Sequence, residues 1–414
     1  MNTTKRIISI DILRGFALLG ILLMNIMSFA MPDIAYNNPT AFGGEGINRI
    51  VYSFTHIIAD QKFMALFSML FGASVMLLIN KLTEKGQNVG RIHYTRNIWL
   101  LVIGLIHATF IWSGDVLTVY ALCSFLLYFF RNAQPKWQFT LGLIIFALPS
   151  LVNVGIHFIY PELDAGSQWS IKYYWNARQD YLIDDIEFYQ GDYWSQVLYR
   201  WDGEFGAEGT MGDLLLGISY YFDYFARALA MMLIGMALFT WGILTGQRDA
   251  PFYRRMLRIG FGVGYPIALF GLLLNEGNSW SVPYSVFIGR IPNNIATPLI
   301  AAGYIALIML WSRTEVWRGL QDRLASIGRT ALTNYIFQSL IATTLFYGFG
   351  FGLYGQLNRL AQFLIVLAIW LVQLILSPIW MHHFRFGPLE WIWRVLTYQQ
   401  SQPIRRIHHF STRE

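Results

Sequence analysis

The stretch Ile10-Asp11-Ile12-Leu13-Arg14-Gly15-Phe16-Ala17-Leu18-Leu19-Gly20-Ile21-Leu22-Leu23-Met24-Asn25 is a membrane-type hydrophobic run that carries three strongly polar side chains. Eleven residues separate Arg14 from Asn25, so in a helix the two side chains share one face and lie about 16 Å apart along the axis. Asp11 lies one turn before Arg14 on nearly the same face. Charged residues inside a span are costly and indicate a functional site unless they serve as anchors. For Arg14 alone, snorkelling from a cytoplasmic helix end to lipid phosphates is an open alternative.

The composition places the chain among polytopic helical membrane proteins. Hydrophobic residues make up 55% of the 414 and charged residues only 13%, about half the share that is usual in soluble domains. The single cysteine, Cys123, excludes an intrachain disulfide. The first apolar segment has no small-residue cleavage site and is expected to be a retained span.

Apolar runs long enough to cross the hydrocarbon core predict an all-α bundle of about ten transmembrane helices. The predicted spans are 10–30, 63–80, 97–113, 115–130, 138–160, 225–245, 258–275, 293–312, 330–350 and 360–381. The third and fourth are separated only by a short turn, and the eighth has a re-entrant alternative because Pro292 and Asn293 lie at its start.

The distribution of positive charge predicts that both termini are cytoplasmic. With the N-terminus inside, 21 Lys and Arg residues fall on the cytoplasmic side and 8 on the outer side, as the positive-inside rule requires. The net charge of +6 is therefore a topology signal, and no nucleic-acid partner is expected.

The predicted organisation has four parts. Residues 1–160 form a first bundle of five spans, 161–224 an extracytoplasmic loop, 225–384 a second bundle of five spans and 385–414 a cytoplasmic tail. The loop holds twelve of the 24 acidic residues, interleaved with many Trp and Tyr residues, so we expect it to fold as a cap. Its aromatics suit either sugar or cation binding or interfacial anchoring in lipid.

The third span repeats the spacing of the first, with Arg96 and His107 eleven residues apart. The turn after His107 brings Asp115 within reach, and a histidine held by a carboxylate is the pairing that a general base uses. A membrane histidine can equally serve helix packing by hydrogen bonding.

Two further pairs are candidate binding residues. Asp60 and Lys62 lie at the outer mouth of the second span, where they can also simply pair with each other. Asn334 and Gln338 share one face of the ninth span, where hydrogen bonding between helices is an equal explanation. No zinc spacing, Walker loop, dinucleotide fingerprint or serine elbow occurs.

Four segments carry a resemblance. The opening Ile10 to Ile21 run, the Lys62 to Gly72 run, the Gly328 to Gln338 run and the closing Phe386 to Arg394 run resemble the YeiB-like (DUF418-type) family of bacterial inner-membrane proteins. More distantly, the first two spans resemble the transmembrane acyltransferases, including heparan-alpha-glucosaminide N-acetyltransferase. Asn25 matches an asparagine of that family's first span, and Asp60 matches an Ala-Asp pair before its second span.

The resemblance implies that a cytoplasmic acyl-CoA donates an acyl group through the bundle to an outer acceptor. The acetyltransferase has its catalytic histidine in the loop after the asparagine, whereas Met31 to Thr55 contains no histidine here. Another base must then serve, and His107 is the residue the sequence offers.

The leading hypothesis is therefore an integral-membrane O- or N-acyltransferase of the inner membrane. Arg14 and Arg96 would hold the acyl-CoA, for example acetyl-CoA, and no covalent cofactor or metal is expected. His107, oriented by Asp115, would act as the base, and Asn25 would stabilise the oxyanion. The acceptor would be a glycan or an envelope lipid bound by the loop. The competing hypothesis is a proton-coupled transporter of a small solute that uses the same buried charges.

Overall fold

A computed structural model describes residues 7–202 and 209–406 of the chain. Within these ranges the backbone is helical apart from turns, loops and one isolated antiparallel bridge between Phe384 and Arg405. The end of the predicted cytoplasmic tail, residues 407–414, lies outside the described residues. The predicted all-α class is confirmed for the described part of the chain.

Nineteen α-helices occur in the described residues, and we number them in chain order. They are α1 (Ile8–Ala30), α2 (Ile34–Asn37), α3 (Ile47–Ile58), α4 (Lys62–Glu84), α5 (Val89–Phe110), α6 (Leu117–Leu127), α7 (Pro135–Ile159), α8 (Ala165–Asn176), α9 (Gln179–Tyr189), α10 (Tyr193–Asp202), α11 (Met211–Gly217), α12 (Asp223–Thr240), α13 (Ala250–Gly277), α14 (Val282–Ser285), α15 (Ile291–Trp311), α16 (Arg318–Arg329), α17 (Ala331–Phe346), α18 (Arg359–His383) and α19 (Pro388–Tyr398). A π-helical turn, Ile218–Phe222, joins α11 to α12, and a 3₁₀ turn, Ile288–Arg290, precedes α15.

Seven helical segments of the described chain are long and apolar enough to cross a membrane. They are Ile8–Ala30, Ile47–Glu84, Pro135–Glu162, Met211–Thr240, Ala250–Gly277, Ile288–Trp311 and Arg359–His383. The architecture is thus that of a helical membrane bundle. Each of these segments overlaps one of the ten predicted spans, although the predicted spans 225–245 and 293–312 extend beyond Thr240 and Trp311.

The other three predicted spans are also helical, but they are shorter or less apolar. They correspond to α5, to α6 with the 3₁₀ turn Tyr128–Phe130 that follows it, and to α17. The number of ten crossings and the orientation of the bundle therefore stay predictions. The eighth predicted span, 293–312, overlaps α15, a continuous 21-residue helix that begins two residues earlier and has Pro298 in its interior.

Two features of the second segment were not predicted from its sequence. Helix α3 precedes α4, so the segment Ile47–Glu84 is longer than the predicted span 63–80. The two helices are separated by a turn in which Gln61 has a left-handed backbone with φ of 64°. This turn places Asp60 and Lys62 on the inside of the bundle, where both are buried.

Burial divides the long helices into an inner and an outer set. We compare 18-residue apolar stretches of the long helices. In α1 and in the segment ending in α12, 78% and 72% of these residues are buried, whereas in α7, α13 and α18 only 22% to 28% are buried. The outer helices expose many large apolar side chains, as a lipid-facing surface requires. The polar stripe of α1 is therefore surrounded by protein.

Close packing of α1 on α16 brings two of the resemblance-bearing segments together. A Cβ atom at Gly15 would lie 2.1 Å from the Leu324 carbonyl oxygen, and one at Gly328 would lie 1.9 Å from the Asp11 carbonyl oxygen. Small residues at such crossings let two membrane helices approach. The dipeptides Arg14-Gly15 and Gly328-Arg329 therefore lie next to each other at this crossing.

The predicted extracytoplasmic loop contains helices α8 to α11 in its described residues, and it docks on the end of the bundle opposite the start of α1. Trp175 donates an indole hydrogen bond of 2.7 Å to the Trp280 carbonyl, and Tyr193 donates one of 2.8 Å to the Phe110 carbonyl. Other aromatics, such as Trp194 and Trp201, are exposed. We call this end the loop face, and the end where α1 begins the N-terminal face.

Candidate functional site

Arg14 is held at the N-terminal face by three elements. Its guanidinium donates to the Ser74 hydroxyl on α4 at 2.8 Å, lies 3.4 Å from the Asp11 carboxylate and 3.5 Å from the Gly328 carbonyl oxygen. The side chain of Arg14 still keeps 23% of its surface exposed. Asp11 therefore orients Arg14 while part of the Arg14 side chain stays accessible.

Arg96 lies near Arg14, and its guanidinium is stacked at 3.9 Å on the ring of Trp393 in α19. The Trp393 indole donates to the Arg96 carbonyl oxygen at 2.7 Å. Arg394 is packed between the rings of Phe386 and Tyr398. The segment from Phe386 to Tyr398 thus completes this region. Neither Trp393 nor Arg394 was among the binding residues predicted from the sequence.

Like charges concentrate at this face. The charges of Arg14 and Arg394 act on Arg96, and that of Arg394 also acts on Lys81. The nearby carboxylate of Glu390 is used internally, because it accepts hydrogen bonds from the backbone N–H groups of Leu332 and Thr333 at 2.7 and 3.1 Å. Guanidinium groups held together in this way suit phosphate oxygens.

His107 and Asp115 meet at the loop end of α5, as the turn after His107 predicts. The two groups lie 2.9 Å apart, from Nδ1 to Oδ1, and the Thr118 backbone N–H fixes the other carboxylate oxygen at 2.7 Å. Asp115 thereby selects the tautomer with hydrogen on Nδ1, which leaves the lone pair on Nε2. Nε2 is buried and has no hydrogen-bond partner among the described residues. The catalytic role of the pair stays a prediction.

A second histidine–aspartate pair, His56 and Asp60, was not predicted from the sequence. The Nδ1 atom of His56 lies 3.2 Å from the Asp60 carboxylate. Asp60 also accepts 2.7 and 2.8 Å hydrogen bonds from the Tyr36 hydroxyl and the Asn293 amide. The four-residue spacing of His56 and Asp60 was the available signal, because it places both on one helical face. His56 comes directly after the Met31 to Thr55 stretch that contains no histidine.

The direct pairing of Asp60 with Lys62 that the sequence allows does not form. Lys62 donates instead to the Asn293 side-chain oxygen and, at 2.8 Å, to the His56 carbonyl oxygen. One amide on α15 therefore bridges the two charges. Its donor end serves the carboxylate, and its acceptor end serves the ammonium group.

Three more charged residues lie in the bundle at the loop face, and none of them was predicted as a site residue. Asp223 pairs with Arg227 one turn later and with Arg290, whose Nη2 lies 3.3 Å away. Arg227 also donates to the Asn294 side-chain oxygen at 3.3 Å. The charges of Asp60 and Asp223 both act on Arg290, so this group adjoins the Asp60 cluster.

Asn25 and the Asn334–Gln338 pair have different surroundings. Asn25 is half-buried near the loop end of α1, and its side chain makes no hydrogen bond to any described residue. Asn334 bonds Ser377 and Gln373 at 3.1 and 3.0 Å, and Gln338 bonds Gln373 at 3.0 Å. The latter pair thus bridges α17 and α18, in agreement with the packing alternative, and we leave it out of the site.

The fold and these sites define a polytopic helical membrane protein with polar groups at both ends of its core. Residues 238–400 match the family described as protein of unknown function (DUF418). The chain is 32% identical to YeiB of Escherichia coli (strain K12) over 96% of its own length and 98% of that protein. It is 31% identical to YxaH of Bacillus subtilis (strain 168), over 98% and 97% of the two chains. The chain therefore belongs to the YeiB-like DUF418 family.

Proposed function

We propose that this protein is an integral-membrane acyltransferase of the inner membrane. An acyl-CoA would bind at the N-terminal face, and a hydroxyl or amine acceptor, on a glycan or an envelope lipid, would bind at the loop face. The observation that carries the proposal is the pairing of a partly accessible histidine with a fixed carboxylate, His56 with Asp60. The guanidinium groups of Arg14 and Arg96 at the opposite face support the donor half.

Accessibility favours His56 over His107 as the base. The side chain of His107 is 1% exposed and that of His56 is 14% exposed. An acceptor must reach the ring nitrogen directly or through one water. We therefore assign the base to His56 and its orientation to Asp60, and keep the His107–Asp115 pair as the alternative.

The transfer balances with these groups alone. The base accepts the proton of the acceptor O–H or N–H, and the acceptor forms a bond to the thioester carbonyl carbon. The C–S bond then breaks, and the CoA thiolate takes up the proton. Asn25, with its free amide, would donate a hydrogen bond to the oxyanion. The pantetheine arm of the acyl-CoA would have to extend about 16 Å along α1, so that the thioester reaches from the level of Arg14 to that of Asn25.

Donor binding tests the first half of the proposal. Calorimetry on the detergent-purified protein would be carried out with acetyl-CoA and longer acyl-CoAs. We expect saturable binding that weakens by about tenfold or more in Arg14→Ala and Arg96→Ala, since each removes a charged hydrogen bond. Arg313→Ala is the matched control, because Arg313 is partly exposed and its hydrogen bonds to described residues go to backbone carbonyls. Failure of folded protein to bind any acyl-CoA would refute the donor assignment.

Turnover with an acceptor found by screening tests the base. His56→Ala should lower kcat by about 10²-fold or more, whereas His383→Ala, at the far end of α18, should leave it unchanged. If His107→Ala instead removes turnover and His56→Ala does not, the base is the buried pair.

A second candidate function is proton-coupled transport of a small solute. It is favoured by the charged residues buried inside the bundle, namely Asp60, Lys62, Asp223 and Arg227. This alternative needs no donor and requires uptake into proteoliposomes that depends on a proton gradient.

A further inference from the structure

The charged residues at the loop face form one buried cluster, which we call the loop-face charge cluster. It consists of Asp60 and Lys62 near the start of α4, Asp223 and Arg227 in α12, and Arg290 just before α15. Counting His56 as neutral, three cations face two carboxylates, so the cluster carries a net charge of +1. The five side chains come from three separate membrane segments.

Within the cluster, the excess positive charge has no carboxylate of its own. Asp223 is shared by Arg227 and Arg290, while the Asp60 carboxylate is occupied by Tyr36, Asn293 and His56. The Nη1 atom of Arg290 is buried and has no hydrogen-bond partner among the described residues. A buried, unsatisfied guanidinium donor is costly, and an anionic oxygen placed there would remove the cost.

A second unsatisfied donor is connected to Arg290 through the π-helical turn. The Ser219 hydroxyl bonds the side-chain oxygen of Asn153 at 2.7 Å, and the next residue, Tyr220, lies with its ring 4.6 Å from the Arg290 guanidinium. The Nδ2 donor of Asn153 is buried and also lacks a partner in the described chain. Single π-helical turns are frequent at functional sites.

We propose that the loop-face charge cluster binds an oxyanion, a carboxylate or phosphate group, with Arg290 as its principal ligand. Naming this group as part of the acceptor rests on the proposed transferase function, and the anion site itself does not. The acidic residues of the 161–224 segment oppose anion binding only weakly, since surface charges are screened by salt. A charge inside the bundle acts in a lower dielectric and is stronger.

The experiment measures anion binding to the purified full chain by calorimetry and by thermal shift, without acyl-CoA. The probes are inorganic phosphate, glucuronate and the short-chain lipid dihexanoylphosphatidylglycerol, with glucose as the uncharged control. We expect saturable binding of at least one anion and none of glucose. Binding of phosphate, glucuronate or the lipid identifies a free anion, a sugar acid or a lipid headgroup, respectively, as the source of the oxyanion.

Two substitutions give effects of opposite sign. Arg290→Gln should weaken binding by about tenfold or more, because a charged hydrogen bond is lost. Asp223→Asn raises the net charge of the cluster and frees both arginines, so it should tighten binding severalfold. Arg178→Gln is the control, because Arg178 is an arginine of the loop face that is 61% exposed.

The outcomes discriminate between this proposal and the proposed function. Absence of saturable anion binding in folded protein, or equal affinity in Arg290→Gln and Arg178→Gln, would overturn the anion site. If Arg290→Gln does not fold, unchanged or weaker binding in Asp223→Asn overturns it. Acyl-CoA binding measured on the same samples should persist in Arg290→Gln, because the donor residues lie at the opposite face. If the wild-type protein binds an anion but no acyl-CoA, the transferase proposal is refuted and the anion site stands.

Discussion

At the scale of single residues, Asp185 in the loop segment makes the docking of that segment sensitive to pH. The Tyr354 hydroxyl donates a 2.8 Å hydrogen bond to its carboxylate, joining α9 to the connection between α17 and α18. Burial raises the pKa of Asp185 from 3.8 to about 6, although the Tyr354 hydrogen bond opposes the shift. The folded state therefore binds the proton more tightly than the unfolded chain does.

The sign of the pH effect follows from this raised pKa. Below pH 4 Asp185 is protonated in both the folded and the unfolded state. Between pH 4 and 6 it ionises more readily in the unfolded chain, so the free energy of unfolding falls as the pH rises and levels off above pH 6. We expect the melting temperature to fall from pH 5 to pH 7.5 by less in Asp185→Asn than in the wild type. The exposed neighbour in Asp184→Asn is the control. An equal fall in Asp185→Asn would contradict the assignment.

Which residues of the candidate sites could be predicted depended on how far apart their partners are in the sequence. The contact between His107 and Asp115 spans eight residues across one turn, and that turn in the sequence predicted it correctly. Asp60 and Lys62 are bridged by Asn293, which is 231 residues from Lys62, and no local pattern indicates that bridge. Arg290 and Asp223 meet for the same reason, through packing of separate helices.

At the scale of helices, the crossing of α1 and α16 is fixed by two glycines that carry no chemistry. A methyl group at Gly328 would overlap the Asp11 backbone carbonyl, which cannot move without shifting α1. We expect Gly328→Ala to destabilise the protein by about 1–3 kcal/mol, the usual cost of overpacking. Because Arg14 also lies 3.5 Å from the Gly328 carbonyl oxygen, acyl-CoA affinity should fall as well.

The matched control for that substitution is Gly262→Ala in α13. Nothing lies within 4 Å of a Cβ atom at Gly262, so alanine there should be neutral or slightly stabilising through its higher helix propensity. Denaturation of both variants under one detergent condition provides the comparison. Equal stabilities would show that α1 and α16 do not pack closely.

The long apolar helices were predictable from the length of their apolar runs, whereas the amphipathic helices packed against them were not. All ten apolar runs are helical, because a run of that length can satisfy its backbone only internally in lipid. Helices α3, α16 and α19 were missed, since each mixes polar and apolar residues and lacks the continuous run used as the criterion. These helices supply His56, Gly328 and the Trp393–Arg394 pair, so the missed elements hold much of the candidate site.

At the scale of the whole molecule, the two candidate sites lie at opposite ends of the core, and their roles depend on the orientation of the bundle. The excess of 21 over 8 positive residues predicts that the N-terminal face, with Arg14 and Arg96, is cytoplasmic. An acyl-CoA made in the cytoplasm could then reach the basic face. The reverse orientation would present the donor face to the outside and remove the reason for the proposed direction of transfer.

Cysteine labelling tests this orientation, because the chain has one native cysteine and Cys123 is 0% exposed. The substitutions are Trp194→Cys, at a 63% exposed position of the loop segment, and Glu84→Cys, at the exposed end of α4. In intact spheroplasts a membrane-impermeant maleimide should label the first variant at once and the second only after permeabilisation. The unsubstituted protein should stay unlabelled in both conditions. Labelling of Glu84→Cys before permeabilisation, with Trp194→Cys protected, would invert the bundle and exclude a cytoplasmic donor at Arg14.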